Sequence, residues 1–453
     1  MNAPAPTLTD LVTGPVLEGD DPRVAAEVAG FNTAHTPRPA LVVGATCAAD
    51  VAVAVRWATA HGLRVSVQST GHGLTSDLAG SVLVTTRRMS GVVVDPVSRS
   101  ARVGAGVRWA QVIEAAAPFG LAPLSGSSSA VGVVGYTLGG GLGPLARRYG
   151  FAADHVRSVQ LVTATGEVRH VDAIGDPELF WALRGGKGNF GIVTEIEFGL
   201  VPVATLYGGG IFFPGAAAAD VLHAYRTWVD TLPEETTTSV ALLRLPPLPE
   251  LPEPLRGQFV VHLRVAHLGT ADEGAALLAP MRAVAAPLMD LVAEMPFAAV
   301  DSIHMDPTEP MPVWDRGATL RELPAEAVDA LLAVAGPDVQ VPLIMVEVRH
   351  LGGAVGRPAR VPSAVAGRDA AFSLLAVGPM AGPLAETMPS ITQAVVDRMA
   401  PWAGRGALLN FLGQAGPERV AALWDDADRA RLLAVRRALD PDRVFSPGQA
   451  LPG

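Results

Sequence analysis

The stretch VQSTGHG at residues 67–73 decides the fold of this chain. It continues a predicted strand over residues 64–68, in which apolar and polar side chains alternate. Small residues and a single histidine, His72, follow the strand. Small residues let the backbone approach a ligand closely and leave its N–H groups free to donate. The stretch therefore predicts a strand that ends in an anion-binding loop with one reactive side chain.

Further glycine-rich segments follow this loop in the chain. They are GSS at 126–128, VGVVGYTLGGGLG at 131–143 and GGKGNFG at 185–191, the last opening onto a predicted strand over 192–198. A lone loop of the first kind is more often an ordinary turn, but several in this order can wrap a large anionic cofactor. The glycines at 139–143 match a dinucleotide fingerprint poorly because no clean strand precedes them. The lysine at 187 follows its glycines too closely for a phosphate-binding P-loop.

At these residues the chain resembles the FAD-linked oxidases of the berberine-bridge-enzyme-like branch of the vanillyl-alcohol-oxidase superfamily, whose FAD-binding domain is of the PCMH type. The segments FWALRGG (180–186), GNFGIVT (188–194) and DPDRVF (440–445) extend the resemblance to the end of the flavin domain and to the tail. In that family the histidine at the position of His72 is bonded to the 8α carbon of the flavin. The resemblance is weak from about 205 to 400.

The resemblance implies which residues bind FAD. They are Gln68, Ser69, Thr70, Gly71, His72, Gly73, Gly126, Ser127, Gly132, Gly135, Tyr136, Thr137, Gly140, Leu142, Gly188, Gly191, Ile192, Val193 and Asn410. Family members with a second flavin bond carry a cysteine where this chain has Ser128, so one bond through His72 is expected. Cys47 lies far upstream at a predicted helix start and is expected to be buried.

The expected fold class is α+β, with three parts. A two-lobed PCMH-type FAD-binding domain spans 1–203, a substrate domain spans 204–405, and a C-terminal segment over 406–453 returns to the FAD domain. From Thr205 the pattern reads strand, long helix, two strands, long helix, which favours an antiparallel sheet flanked by helices. In the tail, an amphipathic helix is expected over 421–439, with Leu423 and three alanines (427, 430 and 434) facing inward.

Composition limits the partners. The 453 residues are 49% hydrophobic, carry a net charge of −10 and contain one cysteine. The negative charge argues against nucleic acid and anionic membranes, and a lone cysteine excludes an internal disulfide framework. No metal site is expected, because the histidines lack ligand spacing. We expect a cytoplasmic monomer or homodimer that uses a small-molecule substrate and O2.

A catalytic base is harder to assign. Many relatives carry a tyrosine beside the flavin in a Tyr-x-Asn motif, and the matching stretch here has Leu408 before Asn410. On the strand VEVR (346–349), Glu347 and Arg349 point to the same face and could bind a polar substrate, with Glu347 as general base. An ordinary surface ion pair is the equal alternative. Tyr207, on the first strand of the substrate domain, is the other candidate.

The function expected is that of an FAD-dependent oxidase that oxidises a small secondary metabolite or alcohol and passes electrons to O2, releasing hydrogen peroxide. Two alternatives stay open. One is an oxygenase of a polyketide pathway that works through a flavin N5-oxide, and the other is a flavoprotein that binds or sequesters a natural product. The missing tyrosine fits both alternatives.

Overall fold

The computed structural model of the chain describes residues 7–453. Up to residue 199 its elements are α1 (Leu8–Leu11), β1 (Val16–Glu18), α2 (Val24–Glu27), β2 (Leu41–Gly44), α3 (Ala48–Ala60), β3 (Val65–Gln68), β4 (Val82–Thr85), β5 (Val92–Asp95), β6 (Ser100–Gly104), α4 (Trp109–Ala116), α5 (Val133–Leu138), α6 (Ala146–Tyr149), β7 (Val156–Val162), β8 (Val168–Asp172), α7 (Pro177–Gly186) and β9 (Ile192–Gly199). Residues 1–6, where the expected first domain begins, lie outside the described residues.

The remaining elements alternate longer strands with helices. They are β10 (Thr205–Pro214), α8 (Ala218–Trp228), β11 (Thr236–Arg244), β12 (Phe259–His267), α9 (Ala271–Arg282), β13 (Met289–Asp290), β14 (Ala293–Pro296), β15 (Val313–Leu320), α10 (Ala325–Ala335), β16 (Met345–His350), β17 (Phe372–Pro379), α11 (Leu384–Arg398), α12 (Pro417–Ala421) and α13 (Asp426–Leu439). A 3₁₀ segment, Phe297–Ile303, follows β14.

Within residues 7–453 the strands form three sheets. The first has the order β1-β2-β4-β3, with β2, β4 and β3 parallel, and the second has the order β5-β6-β9-β7-β8 and is antiparallel. The third and largest is antiparallel, runs β13-β10-β12-β11-β16-β17-β15, and has β14 paired with β10. The fold is therefore mixed α+β, with two smaller sheets early in the chain and one large sheet after them.

The two smaller sheets share one apolar core with the helices α3, α4, α5 and α7. Trp109 is 1% exposed and lies edge-on to the rings of Tyr136 and Phe198, 5.4 and 5.5 Å away. Burial of large aromatic side chains contributes strongly to stability. This packing holds α5 and the glycine-rich loop after it against β9.

The large sheet buries one face only against helices. Valine and leucine side chains of β11, β12 and β16 pack with α8, α9, α10 and α11 in a second core. On the opposite face, Ser239 is in register with Arg264 and with Arg349, and Glu347 lies two residues before Arg349 on the same face. Because strand side chains alternate between faces, one side of this sheet is core and the other side is available for chemistry.

The C-terminal residues contact the first sheet. Val65 N donates to Val444 O at 2.8 Å, and Ser446 N donates to Val65 O at 2.9 Å. The chain after α13 thus extends the edge at β3, beside the His72 loop. The domain boundaries expected from the sequence remain a prediction. Among the helices of the described residues, none is long and apolar enough to cross a membrane.

Two local expectations are wrong. The single helix expected over 421–439 is two helices, and α13 begins only after Asp425, whose carboxylate accepts from Asp428 N. That helix buries Leu432 and Arg436, whereas the three alanines expected to face inward are exposed. Cys47 is exposed, because it is the N-cap of α3 and its side chain lies outside the buried face of that helix.

Candidate active site

The His72 loop follows β3 directly and is held by backbone contacts. Gly71 has φ +71°, in the left-handed region that favours glycine, and a Cβ there would lie 2.6 Å from Gly30 Cα. Phe31 N donates to Thr70 O at 2.9 Å. Of the predicted loop residues, Gln68 is the last residue of β3 and Ser69 follows it. This close approach fixes the path of the loop, and only glycine fits at the crossing.

His72 has a defined orientation. Its ring stacks on Phe31 at a centroid distance of 4.2 Å and an angle of 4°, and Nδ1 lies 3.0 Å from Thr70 Oγ1. Burial and then the charge of Arg108 lower the pKa of His72 to about 4. The imidazole is therefore neutral near pH 7, with a nitrogen lone pair available as a nucleophile.

The second glycine-rich loop lies against the first. A Cβ on Gly132, at the start of α5, would lie 3.2 Å from Ser69 Oγ, so the two loops are in close contact. After α5, Gly140 and Gly141 have φ +108° and +78°. A side chain at Gly139 would collide with the amide of Asn410. The turn thus requires glycine both for its backbone angles and for its approach to the C-terminal segment.

The third segment closes the same region. The helix α7 is interrupted at Arg184 and Gly185, and Lys187 has φ +59°. Lys187 Nζ donates to Gln449 Oε1 at 2.8 Å and to Asn410 Oδ1 at 3.3 Å. Burial lowers the pKa of Lys187 to about 8. Of the predicted residues, Gly188 and Gly191 lie between this lysine and β9, and Ile192 and Val193 begin that strand.

Several polar atoms of these loops are buried and have no hydrogen-bond partner within residues 7–453. They are Gln68 Oε1, Ser69 Oγ, Ser125 Oγ, Tyr136 OH and Thr137 Oγ1. Buried polar groups are normally satisfied, so a cluster of unsatisfied ones on adjacent loops indicates a ligand rich in donors and acceptors. FAD is such a ligand, because its hydroxyls, phosphates and heteroaromatic ring provide hydrogen-bond donors and acceptors. The residues present therefore fit the cofactor that the sequence implied.

The polar face of the large sheet carries a buried ion triad. Glu347 is 0% exposed, and its Oε1 accepts from Arg264 Nη1 at 2.5 Å and from Ser239 Oγ at 2.8 Å. Its Oε2 accepts from Arg349 Nε at 2.7 Å. Burial alone would raise the pKa of Glu347, but the charges of Arg349 and Arg264 outweigh it and hold that pKa at about 2.

This geometry changes the interpretation of the catalytic candidates. Glu347 and Arg349 do share a face, yet their pair is buried and is not the surface ion pair weighed as an alternative. A carboxylate with a pKa near 2 is a weak proton acceptor at neutral pH, so the geometry argues against Glu347 as general base. Tyr207 lies on the helix side of β10, in the second core, where Arg282 Nη1 donates to its hydroxyl at 3.2 Å. It faces away from the triad.

Two recesses border the second loop and share Leu142. The first lies between this loop and the polar face of the sheet, and is lined by Leu142, Gly143, Arg264, His304 and Arg349 among others. The second lies between the loop and the C-terminal segment, and is lined by Gly139, Leu142, Leu408, Asn410 and Phe411 among others. Leu408, in place of the family's tyrosine, belongs to an apolar cluster with Leu142 and Phe151. The first recess thus brings the second loop and the sheet face together.

Two aspartates that follow β14 in the chain accept hydrogen bonds from the segment 126–129. Asp301 accepts from Ser129 N at 2.9 Å and from its hydroxyl at 2.6 Å, and Asp306 accepts from Ser127 Oγ at 2.5 Å. Sequence reasoning missed both aspartates, which lie in and just after the 3₁₀ segment, since no local pattern marks them. It also missed Arg264, although His262 and Arg264 are polar residues at alternate positions of an apolar strand, which is a readable signal.

The chain is similar in sequence to known flavoproteins. A family profile described as "FAD binding domain" matches residues 39–172. The (R)-6-hydroxynicotine oxidase of Paenarthrobacter nicotinovorans is 30% identical over 96% of this chain and 95% of its own length. The FAD-linked oxidoreductase DDB_G0289697 of Dictyostelium discoideum is 26% identical over 79% of this chain and 77% of its own.

Solved structures agree over nearly the whole chain. The crystal structure of 6-hydroxy-D-nicotine oxidase from Arthrobacter nicotinovorans superposes with a TM-score of 0.85 at 28% identity, covering 98% of both chains. The xylooligosaccharide oxidase of Myceliophthora thermophila, in complex with xylobiose, gives 0.85 at 20% identity, again over 98% of both chains, and shows the fold alone.

Proposed function

The chain belongs to the PCMH-type FAD-linked oxidases, the family of the berberine-bridge-enzyme-like proteins, and from that premise we propose that it is an oxidase whose FAD is bonded covalently to His72. It is an FAD-dependent oxidoreductase that acts on a small molecule. The proposed electron acceptor is O2, which is reduced to hydrogen peroxide. A secondary metabolite or an alcohol is the proposed substrate class.

The observation that carries the proposal is the state of His72. The imidazole is stacked on Phe31, oriented by Thr70 and neutral near pH 7. A neutral and oriented imidazole can attack an electrophilic carbon, whereas an imidazolium cannot. Ser128 replaces the cysteine of doubly linked relatives. We propose a single covalent link for that reason.

The chain's own residues then have defined tasks. The redox chemistry, the acceptance of a hydride, would be supplied by FAD held between these loops. Gly132 lets the second loop pack against Ser69, Gly139 lets it pack against Asn410, and Asn410 Nδ2 donates to Tyr136 O at 2.8 Å, which fixes the second loop against the C-terminal segment. Asp301 and Asp306 hold the segment 126–129 from the side of the large sheet. The ion triad on that sheet binds and orients the substrate.

The test has two stages. In the first, the purified protein is precipitated in acid, and the peptide containing residue 72 is examined by mass spectrometry for attached flavin. His72→Ala should release its flavin into the supernatant, whereas His61→Ala, at an exposed histidine that ends α3, should keep it on the chain. Flavin released from the unmodified protein would refute the covalent link and leave the FAD assignment standing.

In the second stage, peroxide is measured during turnover in air. The compounds to assay are alcohols and phenolic metabolites, with 6-hydroxynicotine, for which the 30% identical relative is named, as the comparison. One equivalent of peroxide per equivalent of oxidised substrate is expected. Incorporation of labelled oxygen into the product, without peroxide, would contradict the oxidase proposal.

A further inference from the structure

The ion triad carries one positive charge more than it neutralises. Arg264 and Arg349 both contact Glu347, so two guanidinium groups share one carboxylate. The three side chains are 3%, 12% and 0% exposed. A buried charge without a counter-ion is unfavourable, and such a charge is retained where a ligand neutralises it.

No further carboxylate forms an ion pair with either arginine within the described chain. The charge of Asp306 acts on Arg349 from beyond ion-pair distance, and its carboxylate accepts from Ser127. Burial holds the pKa of His262 and of His304 well below the usual value, so both imidazoles are neutral. The remaining charged side chain in the lining of the first recess is another cation.

That further cation is Arg147, which lines the same recess. Its Nη1 donates to Leu351 O at 2.5 Å and contacts the ring of His350. Along residues 7–453 it has no carboxylate within ion-pair distance, and its Nε has no partner. The wall of the recess is therefore cationic, although the protein as a whole carries a net charge of −10.

Arg349 is the cation best placed to meet a ligand. Only its Nε is engaged by Glu347, and its guanidinium lies 5.0 Å above the ring of Phe411, which lines the second recess. The terminal nitrogens make no hydrogen bond within the described part of the chain. A guanidinium with both terminal nitrogens free matches a carboxylate through two parallel hydrogen bonds.

The rest of the lining is part polar and part apolar. Thr237, Thr238 and Ser239 line the first recess together with Leu142, Ile303 and Val355, and Leu408 with Phe411 lines the second. A recess with convergent cations beside apolar side chains selects an anionic ligand that also has an apolar part. A cationic amine would be repelled by the arginines of this wall.

We propose that the substrate carries a carboxylate beside an apolar part, and that Arg349 binds this carboxylate beside the flavin. The inference rests on the proposed function, since it names the substrate class of that same site. It assigns Arg349 to specificity, with Glu347 and Arg264 as positioning residues that hold its guanidinium.

The experiment uses the flavin-loaded protein and three probes of one shape. Benzoate, benzyl alcohol and benzylamine are titrated at pH 7.5, and binding is followed by the change in flavin absorbance. We expect benzoate to bind at least tenfold more tightly than the other two, because a charge-assisted, bidentate contact is worth about tenfold to a hundredfold in affinity. Equal binding of benzoate and benzyl alcohol, or tighter binding of benzylamine, would overturn the proposal.

Variants assign the effect to Arg349. Arg349→Met should weaken benzoate at least tenfold and leave benzyl alcohol unchanged. Arg431→Met, which removes the same charge from an exposed pair with Glu178, is the matched control and should change neither. If the methionine variant fails to fold, Arg349→Lys retains the charge without the fork and should weaken benzoate to a smaller extent. Wild-type benzoate affinity in both Arg349 variants would refute the assignment.

Flavin content is measured before any titration. A protein without flavin would refute the proposed function. A loaded protein that reoxidises in air but shows no preference for benzoate would refute this inference alone.

Discussion

The buried triad makes a quantitative prediction for Glu347→Gln. The substitution preserves shape, but it leaves Arg264 and Arg349 without their shared carboxylate at a site that is 0% exposed. The pKa of Glu347 is about 2, against an ordinary 4.5. That difference corresponds to about 3 kcal/mol of stability at neutral pH, at ~1.4 kcal/mol for each pH unit. Breaking a buried pair by removing one partner typically costs ~3–5 kcal/mol, which agrees.

The pH dependence gives the prediction its sign. Because folding lowers the pKa of Glu347, its stabilising contribution is complete above pH 4.5 and is lost as the pH falls towards 2. The free energy of unfolding of the variant should therefore lie about 3 kcal/mol below wild type at pH 7.5. The gap should narrow when both proteins are compared at pH 3.5.

Urea titrations at the two pH values measure this difference. Glu178→Gln is the control, since Glu178 is 58% exposed and its pair with Arg431 lies at the surface. An exposed pair is worth less than about 1 kcal/mol, so that variant should stay close to wild type. A Glu347→Gln protein within 1 kcal/mol of wild type at pH 7.5 would refute the reasoning. A full gap that persists at pH 3.5 would also refute it.

Three more predictions follow from the loops and their neighbours. Gly139→Ala should lower the flavin content of the purified protein, because its Cβ would collide with Asn410. The control Gly91→Ala places its Cβ in open space and should bind flavin normally. Equal flavin-to-protein absorbance ratios in the two variants would contradict this prediction. Asp301→Asn weakens the hold on Ser129 and should raise the protease sensitivity of the segment 126–129; an unchanged cleavage rate would refute that role. Stability should fall as the pH drops below 6.5, because the unfolded chain then takes up protons on imidazoles that stay neutral in the folded protein; a flat melting temperature between pH 6.5 and 4 would contradict it. These imidazoles are His262, His304 and His350.

Local pattern predicted the elements whose residues face neighbours close in sequence. The alternation of apolar and polar side chains over 64–68 predicted a strand, and β3 spans Val65–Gln68. The glycine-rich stretches predicted loops where the structure has positive φ values at Gly71 and Gly140. Such features depend on the backbone itself, and composition reports them directly.

Features that depend on distant pairing escaped prediction. The partners of Glu347 are Arg264, which is 83 residues away, and Ser239, which is 108 residues away. Only the register of β11, β12 and β16 brings them together, and no short window of sequence contains that register. The strand β15 was missed in the same way, since its burial comes from β17 and α11. The inward face of α13 was misread because an arginine, Arg436, is buried there through contacts with the C-terminal carbonyls of 451 and 452.

The pKa values of the titratable side chains near the site limit which of them could transfer a proton at neutral pH. Leu408 occupies the position of the family's phenol, and Glu347 stays ionised with a pKa of about 2. Tyr136 faces the site, but burial raises the pKa of its phenol far above neutral. Lys187 differs from these groups, since burial lowers its pKa to about 8 while its Nζ contacts Asn410 beside the flavin loops. Its left-handed backbone, with φ +59°, is held there by the surrounding packing, as strained residues at functional sites are. Among the groups compared, the lysine that fitted no phosphate-binding motif in the sequence is therefore the one whose pKa lies nearest to neutral.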